Sequence, residues 1–318
     1  MNIITKVLNR KELIAQPPVL VDIGASGQIH KKWKKIASHS ICIAFDADER
    51  EFGFVTKETS GFKKFHVFNC IVTDKEEKEV DFYLTRSPYC SSSLIPDEEA
   101  LSVWAFADKF SVDKKIKLKT ISLQKALQQA NLEYVDWFKT DSQGTDVRLF
   151  KSLGDKNIQN VIVAEFEPGI IDAYKGEDKF FQLLQYMGDK NFWLSNLMIK
   201  GSQRITRENL FKISSHNLWQ KLIHFSLITS PGWSETSFIN DFKKDLSLRD
   251  HLLGWVFATI LEQHGFAYHI ASIAKIKFND EIFSELISAS SKALTYNVLK
   301  LKFIPSIFEK LSKILKIQ

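Results

Sequence analysis

Short apolar runs alternate with amphipathic stretches of helix length from residue 19 to residue 196, and this alternation limits the available folds more than any other feature. The runs at 19–23, 41–45 and 161–166 are apolar at nearly every position, as in strands that are covered on both faces. Such strands, joined by helices, form a parallel sheet between two helical layers. The sequence therefore predicts an α/β doubly wound fold for this part of the chain.

Shorter or more polar segments complete this pattern. Further strands are predicted at 65–72, 80–84, 118–121 and 134–140, and helices at 29–37, 123–130 and 144–153. Val80 to Leu84 alternates between apolar and polar residues, which is typical of an exposed antiparallel strand.

The pattern changes after residue 200, where apolar residues take helical spacing. Helices are predicted at 211–228, 238–248, 252–265 and 282–299. We therefore expect residues 1–200 to form the sheet domain and residues 201–318 to form an appended, mostly helical C-terminal region. The stretch at 303–317 is amphipathic and basic, which suits a helix on an anionic membrane surface. A terminal helix docked on its own protein is the commoner alternative.

The composition excludes several classes of protein. With 43 Lys and Arg residues against 38 Asp and Glu, the formal charge is only +5, too weak for a nucleic-acid-binding protein. The three cysteines, Cys42, Cys70 and Cys90, give neither a disulfide framework nor zinc-ligand spacing, so a reducing, cytoplasmic setting is expected. The sequence holds no run of 18 apolar residues, and no motif of a hydrolase or an NTPase.

The first predicted strand ends in a glycine turn with an acidic residue before it. Asp22 precedes Gly24, and Asp46 ends the second predicted strand. Because Ala25 and Ser26 stand where glycines are required, the dinucleotide fingerprint G-x-G-x-x-G is not met. Asp46 can accept both hydroxyls of a ribose, whereas Asp22 would repel a pyrophosphate and suits an ammonium group. The two acids favour S-adenosylmethionine over NAD as cofactor; the alternative is that each only caps a following helix.

Further sequence blocks follow this turn in order. They are VDIGASGQ at 21–28 with Trp33, AFDAD at 44–48, FYLTRSPYCSSSL at 82–94, TISL at 120–123, VDWFKTDSQG at 135–144, and VAEFE at 163–167 with YKG at 174–176. This order resembles the FkbM-type family of S-adenosylmethionine-dependent methyltransferases over residues 19–196, and VDWFKTDSQG is the most specific block. The chain departs from the family pattern at Gln28, Asp46 and Asp146, where the family has Gly, Glu and Glu.

The resemblance implies a Rossmann-like class I methyltransferase sheet, S-adenosylmethionine as cofactor, and O-methylation of a small molecule or a glycan precursor. Residues 201–318 would then contribute to acceptor binding or to a membrane surface. The cofactor-binding candidates are Asp22, Gly24, Ala25, Ser26, Gly27, Asp46, Asn69, Asp141 and Gln143.

The catalytic candidates lie at the carboxyl ends of predicted strands, where doubly wound sheets bind ligands. Asp141 is the first; it is a candidate general base or aminoacyl contact, and capping of the next helix is the alternative. Glu165 is the second; with Asp141 and Glu167 it could hold a divalent cation such as magnesium, although no ligand spacing supports this. Lys139 is expected to pair with a carboxylate, because an unpaired buried charge is costly. The loop at 86–94 suits sugar or phosphate recognition, or a rigid turn.

Taken together, these features predict a cytoplasmic transferase, an S-adenosylmethionine-dependent methyltransferase that modifies a small molecule or glycan and binds no nucleic acid. Peripheral contact with the inner face of the membrane is expected through the 303–317 helix. Two alternatives stay open: a nucleotide-fold binding module without catalysis, suggested by Gln28 and the shifted acids, and a membrane-surface assembly protein of a polysaccharide pathway.

Overall fold

A computed structural model describes residues 2–25, 31–46 and 61–315. The strands are β1 (Val19–Ile23), β2 (Ile41–Phe45), β3 (Lys64–Phe68), β4 (Ile71–Thr73), β5 (Glu79–Thr85), β6 (Val112–Ser122), β7 (Trp137–Thr140), β8 (Val163–Phe166), β9 (Phe192–Ser202) and β10 (Ser230–Asn240). The α-helices are α1 (Ile3–Leu8), α2 (Lys11–Ala15), α3 (Glu98–Leu101), α4 (Leu123–Gln129), α5 (Asp146–Lys151), α6 (Asp155–Ile158), α7 (Phe180–Asp189), α8 (Arg207–Ile213), α9 (Asn217–Ser226), α10 (Leu248–Ile260), α11 (His264–Phe278), α12 (Ile282–Leu299) and α13 (Ile304–Leu315).

Seven of these strands form one sheet in the order β3-β2-β1-β7-β8-β10-β9. The five strands from β3 to β8 are parallel, and β10 lies antiparallel to both β8 and β9. From β1 the chain builds outward to β2 and β3, and then crosses to β7 on the other side of β1. This reversal is the switch point of a doubly wound sheet, beside which ligands bind. The predicted fold class, an α/β doubly wound, Rossmann-like sheet with helices after it, is confirmed.

The buried strands are those that the apolar runs predicted. Every residue of β1, β2 and β8 is buried. Their side chains join those of α4, α5 and α7 in a hydrophobic core that includes Val21, Phe138 and Phe150. The predicted helix at 29–37 differs from the structure, which has short 3-10 helices at Lys31–Lys35 and Ala37–His39 in the described part.

A three-stranded sheet, in the order β4-β6-β5, follows β3. Strand β6 is longer than the predicted 118–121 segment, and its first half carries exposed lysines that hide the strand pattern in the sequence. Lys117 lies opposite Asp81 of β5, and Lys119 lies opposite Glu79. Opposite charges facing each other across an antiparallel pair stabilise strands that bury little apolar surface.

The predicted helix at 238–248 is wrong. Phe238 and Ile239 are buried at the end of β10, and the next helix begins at Leu248, where Ser247 accepts a hydrogen bond from the Asp250 amide. The predicted boundary at residue 200 lies inside β9. The sheet continues beyond it with β10, which ends at Asn240.

By its contacts the chain divides into residues 17–243, which hold both sheets, and a helical unit of residues 1–16 and 244–318. Helix α10 in the helical unit is almost wholly buried, and its residues after His251 are nearly all apolar, as in a central helix. No helix in the described part of the chain is long and apolar enough to cross a membrane.

Candidate ligand-binding site

The candidate site begins where β1 and β7 end side by side. The Asp141 amide donates a hydrogen bond to the Ile23 carbonyl oxygen at 2.9 Å, which holds the two chain ends together. Gly24 follows with a φ of +75°, and a Cβ atom on it would lie 2.2 Å from the Asp141 carbonyl oxygen. Only glycine therefore fits here, both for backbone conformation and for space.

A cleft of about 100 Å³ opens beside this turn, and we call it the glycine cleft. Of the predicted cofactor-binding residues, Gly24, Asp46, Asp141 and Gln143 line it. Its apolar wall is formed by Ile23, Phe45, Ile71, Val72 and Phe82. Its described lining residues include two carboxylates and no lysine or arginine.

The other predicted cofactor-binding residues are not in its described lining. Ala25 is buried next to Ala44, and Asn69 is exposed between β3 and β4. Ser26 and Gly27, like Gln28, lie outside the described residues.

Asp22 has a protein partner in place of the predicted ligand ammonium. It is fully buried, and the Lys139 Nζ lies 2.8 Å from its Oδ1. Burial disfavours the charged form of Lys139, but the negative charges of Asp22 and Asp141 outweigh this and raise the pKa of Lys139. The predicted pairing of Lys139 is confirmed, and Asp22 acts on the site through this lysine.

A larger cavity of about 440 Å³ adjoins the glycine cleft, and we call it the aromatic cavity. Asp141, Gln143 and Tyr89 line both spaces. One wall is a chain of ring contacts, with centroid distances of 6.2 Å from Trp233 to Phe106, 5.5 Å from Phe106 to Phe110, and 5.5 Å from Phe110 to Tyr174. The other polar groups of the lining include Glu167, Glu177, Glu235 and Lys109. Its volume suits a small ligand.

Asp141 does not cap the helix that follows it. The residue before α5 is Thr145, and its side chain makes no capping bond. Asp146 instead organises this turn, because its carboxylate accepts hydrogen bonds from Thr140 Oγ1 at 3.0 Å, the Ser142 amide at 3.0 Å and the Glu167 amide at 3.1 Å. The helix-capping alternative for Asp141 is therefore wrong.

Asp141 is held by Gln143 at the junction of the two spaces. The Gln143 side-chain amide donates to the Asp141 carboxylate, and Gln143 has a left-handed φ of 55°. The Tyr174 hydroxyl donates to Gln143 Oε1 at 3.0 Å, and the Ser92 hydroxyl donates to the Gln143 carbonyl oxygen at 2.7 Å. Ser92 of the serine-rich loop thus fixes Gln143, and Tyr89 of the same loop lines both spaces.

Three carboxyl groups of the aromatic cavity, those of Asp141, Glu167 and Glu177, have pKa values that burial raises. Burial raises the pKa of Asp141 to about 6, against the opposing positive charge of Lys139. Burial, together with the negative charge of Asp141, raises the pKa of Glu167 to about 9. At neutral pH the cavity therefore presents an ionised Asp141, which can accept a proton, and a protonated Glu167, which can donate a hydrogen bond.

Glu165 lies apart from this pair. Its carboxylate accepts hydrogen bonds from Trp137 Nε1 and Ser237 Oγ, each at 2.9 Å, and lies 3.4 Å from the Lys32 ammonium. Glu165 and Glu167 share the lining of a small side pocket, but only Glu167 lines the aromatic cavity. Glu167 therefore takes the place beside Asp141 that was predicted for Glu165.

The described residues contain no group of three or more His, Cys, Asp or Glu side chains that could hold a metal ion. Asp141, Glu165 and Glu167 thus do not form the suggested cation site in this part of the chain. Sequence reasoning also missed Trp233 and Glu235 because they enter the cavity from β10, which was not recognised as a strand.

Fold and site together define a doubly wound α/β protein with its candidate ligand site at the switch point between β1 and β7. No protein-family model matches the chain, and the search of curated proteins found no match.

Several solved structures are similar to the chain at low identity. One is the precorrin-6y C5,15-methyltransferase from Geobacter metallireducens GS-15, at 8% identity over 74% of this chain and 87% of that one, with a TM-score of 0.31. Another is the StiE O-MT, at 10% identity over 82% of this chain and 79% of that one, with a TM-score of 0.32. A third is an uncharacterized protein from Listeria monocytogenes serotype 4b, at 10% identity over 92% of this chain and 99% of that one, with a TM-score of 0.30.

Proposed function

We propose that this chain is an S-adenosylmethionine-dependent methyltransferase of the FkbM type, acting on an oxygen atom of a small molecule or glycan precursor. One observation carries the proposal: the glycine cleft and the aromatic cavity meet at Asp141 and Gln143. Methyl transfer is an in-line displacement, so it needs a donor site and an acceptor site that adjoin at the reacting atoms. The oxygen and glycan parts of the proposal come from the family resemblance.

The glycine cleft fits the cofactor in three respects. Asp46, at the end of β2, offers a carboxylate for the ribose hydroxyls. Gly24 lets the backbone approach a ligand closely, and Val72 and Phe82 offer an apolar wall for a base. The described lining has no cation for a pyrophosphate, which favours S-adenosylmethionine over NAD. When bound, this cofactor supplies a methyl group on a cationic sulfur.

The aromatic cavity is the proposed acceptor site. Its ring wall offers flat apolar faces, on which a sugar ring or another compact ligand can pack. Asp141, ionised at neutral pH, is the proposed proton acceptor for the attacking hydroxyl. Glu167, which keeps its proton there, is the proposed hydrogen-bond donor to a second oxygen of the acceptor.

Peripheral membrane contact through α13 is part of the proposal. Phe308 and Ile307 are exposed on this helix, and it carries Lys310. An exposed, basic and amphipathic helix of this kind can lie in the headgroup region of an anionic membrane, at the inner face of the cytoplasmic membrane.

Isothermal titration calorimetry with S-adenosylmethionine and S-adenosylhomocysteine, followed by a methyl-release assay over a panel of sugars and small alcohols, tests the proposal. We expect both cofactors to bind and at least one hydroxyl acceptor to be methylated. Cofactor binding without turnover on any acceptor would favour the binding module that lacks catalysis. No cofactor binding at all would favour the membrane-surface assembly protein.

A further inference from the structure

Helices α8 and α9 form an insertion between β9, at the edge of the sheet, and its neighbour β10; we call residues 204–228 the hairpin. Thr206 begins α8 by accepting a hydrogen bond from the Asn209 amide at 3.0 Å. The Gln220 side chain of α9 donates to the Ser214 carbonyl oxygen at 2.7 Å and so ties the helices together. Leu210 of α8 is buried, whereas α9 has no buried residue. Most of the surface of α9 is therefore exposed to solvent, and only Gln220, Ile223 and His224 are half-buried.

The hairpin exposes large apolar side chains that a packed helix would bury. Trp219 is 60% exposed, Phe225 is 76% exposed and Ile228 is 89% exposed. The other exposed large apolar residues of the hairpin are Phe211, Ile213, Leu218, Leu222 and Leu227. On α9, Leu218, Leu222 and Phe225 recur at the spacing of a single helix face. A concentration of exposed apolar residues on this scale marks an interaction surface.

The charge of the hairpin identifies the kind of partner. Within the hairpin, Arg204, Arg207, Lys212 and Lys221 stand against a single acid, Glu208; Arg207 also pairs with Asp108 outside it. Lys221 is exposed and makes no ion pair within the described part of the chain. Trp, Phe and Leu beside Lys and Arg are the composition of helices that lie in a membrane interface, and anionic lipids attract such basic residues.

A second copy of the chain fits this surface less well. In a symmetric dimer the same patch meets itself. The net positive charge of the hairpin would then face an identical positive charge, whereas an anionic lipid surface neutralises it.

We propose that the hairpin binds an anionic lipid surface, with Trp219 and Phe225 entering the interface between headgroups and acyl chains. None of its residues is among the described residues that line the glycine cleft or the aromatic cavity. The proposal is therefore independent of the proposed methyl transfer, and it concerns a different element from α13.

Sedimentation of the full chain with vesicles tests this proposal. The wild type should sediment with phosphatidylcholine–phosphatidylserine vesicles and much less with phosphatidylcholine alone. In the same mixed vesicles, Trp219→Gln/Phe225→Gln should lower the partition coefficient by about tenfold, because two apolar anchors are lost. Lys221→Glu should lower it by about fivefold or more, because an attractive charge becomes repulsive.

The matched control is Phe181→Gln on α7, which replaces a side chain that is 68% exposed and lies outside the hairpin. It should bind vesicles as the wild type does. If Trp219→Gln/Phe225→Gln and Lys221→Glu both bind vesicles as the wild type does, the proposal is overturned. The binding would then come from another element, such as α13, which is intact in both variants. A dimer in light scattering that Trp219→Gln/Phe225→Gln abolishes, with vesicle binding unchanged, would also overturn it and assign the hairpin to contact between copies. Melting curves check that these exposed substitutions leave the fold intact, and Lys221→Glu decides the matter if the double variant does not fold.

Discussion

Asp141→Asn removes one negative charge from the junction of the glycine cleft and the aromatic cavity and keeps the shape of the side chain. Burial raises the pKa of Asp141 from 3.8 to about 6, and about two pKa units correspond to about 3 kcal/mol. Because the folded pKa is the higher one, ionised Asp141 opposes folding; this cost is absent below pH 3.8 and complete above about pH 6. The Asn variant lacks this cost, so its melting temperature at pH 7 should equal or exceed that of the wild type.

Turnover of the same variant should fall by about 10²-fold or more, the scale of losing a general base. The assay is methyl release per folded molecule, at saturating cofactor and with an acceptor found in the screen, alongside calorimetric cofactor affinity. Normal turnover would refute the proposed role of Asp141 as proton acceptor. A fall in turnover that only follows a fall in cofactor affinity would make Asp141 a binding residue.

The matched control is Asp146→Asn, five residues further along the chain. The Asp146 carboxylate accepts from Thr140, Ser142 and the Glu167 amide, so an Asn amide group would leave buried donors unpaired or facing each other. Such a loss costs about 1–3 kcal/mol and should lower the melting temperature by several degrees. The two variants thus separate chemistry from stability within one turn.

Three further results are expected. Asp46→Ala should weaken S-adenosylmethionine binding by about 1.5–3 kcal/mol in isothermal titration calorimetry, with the fold kept, and unchanged affinity would remove the ribose assignment. The value of kcat/KM should rise with pH as Asp141 ionises near pH 6 and fall as Glu167 ionises near pH 9; a flat profile across this range would contradict both assignments. Deleting residues 303–318 should lower sedimentation with anionic vesicles and leave cofactor affinity unchanged, whereas an insoluble product would show that α13 is needed for packing.

The part of the fold that the sequence predicted well is the part buried on both faces. Strands β1 and β2 are apolar along their whole length apart from Asp22, so their pattern is independent of their neighbours. The apolar sequence pattern is weaker in strands that are stabilised mainly by the strand they pair with. The lysines of β6 are explained only by Glu79 and Asp81 across the pair, and the Ser and Thr residues of β10 only by its place beside β8.

The residues of the candidate site divide in the same way, into those that the sequence predicts and those that depend on tertiary contacts. Gly24, Asp46, Asp141 and Gln143 were predicted because each follows a buried strand, and the ends of parallel strands meet at one edge of the sheet. The ring wall was not predicted, because Phe106, Tyr174 and Trp233 come from distant loops and from β10 and meet only after folding. The choice between Glu165 and Glu167 also depended on tertiary contacts, since Trp137 and Ser237 hold only the first of them.

Lys139 explains why one acid of the switch point faces the ligand spaces and the other does not. Its ammonium forms an ion pair with the fully buried Asp22. If Asp22 bound a ligand instead, the positive charge of Lys139 would be left without this partner, which costs free energy. Asp141 lies within reach of the same positive charge, which opposes the effect of burial on its pKa. One lysine on β7 therefore neutralises Asp22 and keeps Asp141 ionised near neutral pH. A carboxylate that stays ionised in a buried position, at the meeting point of two cavities, is the arrangement that proton transfer from an acceptor hydroxyl requires.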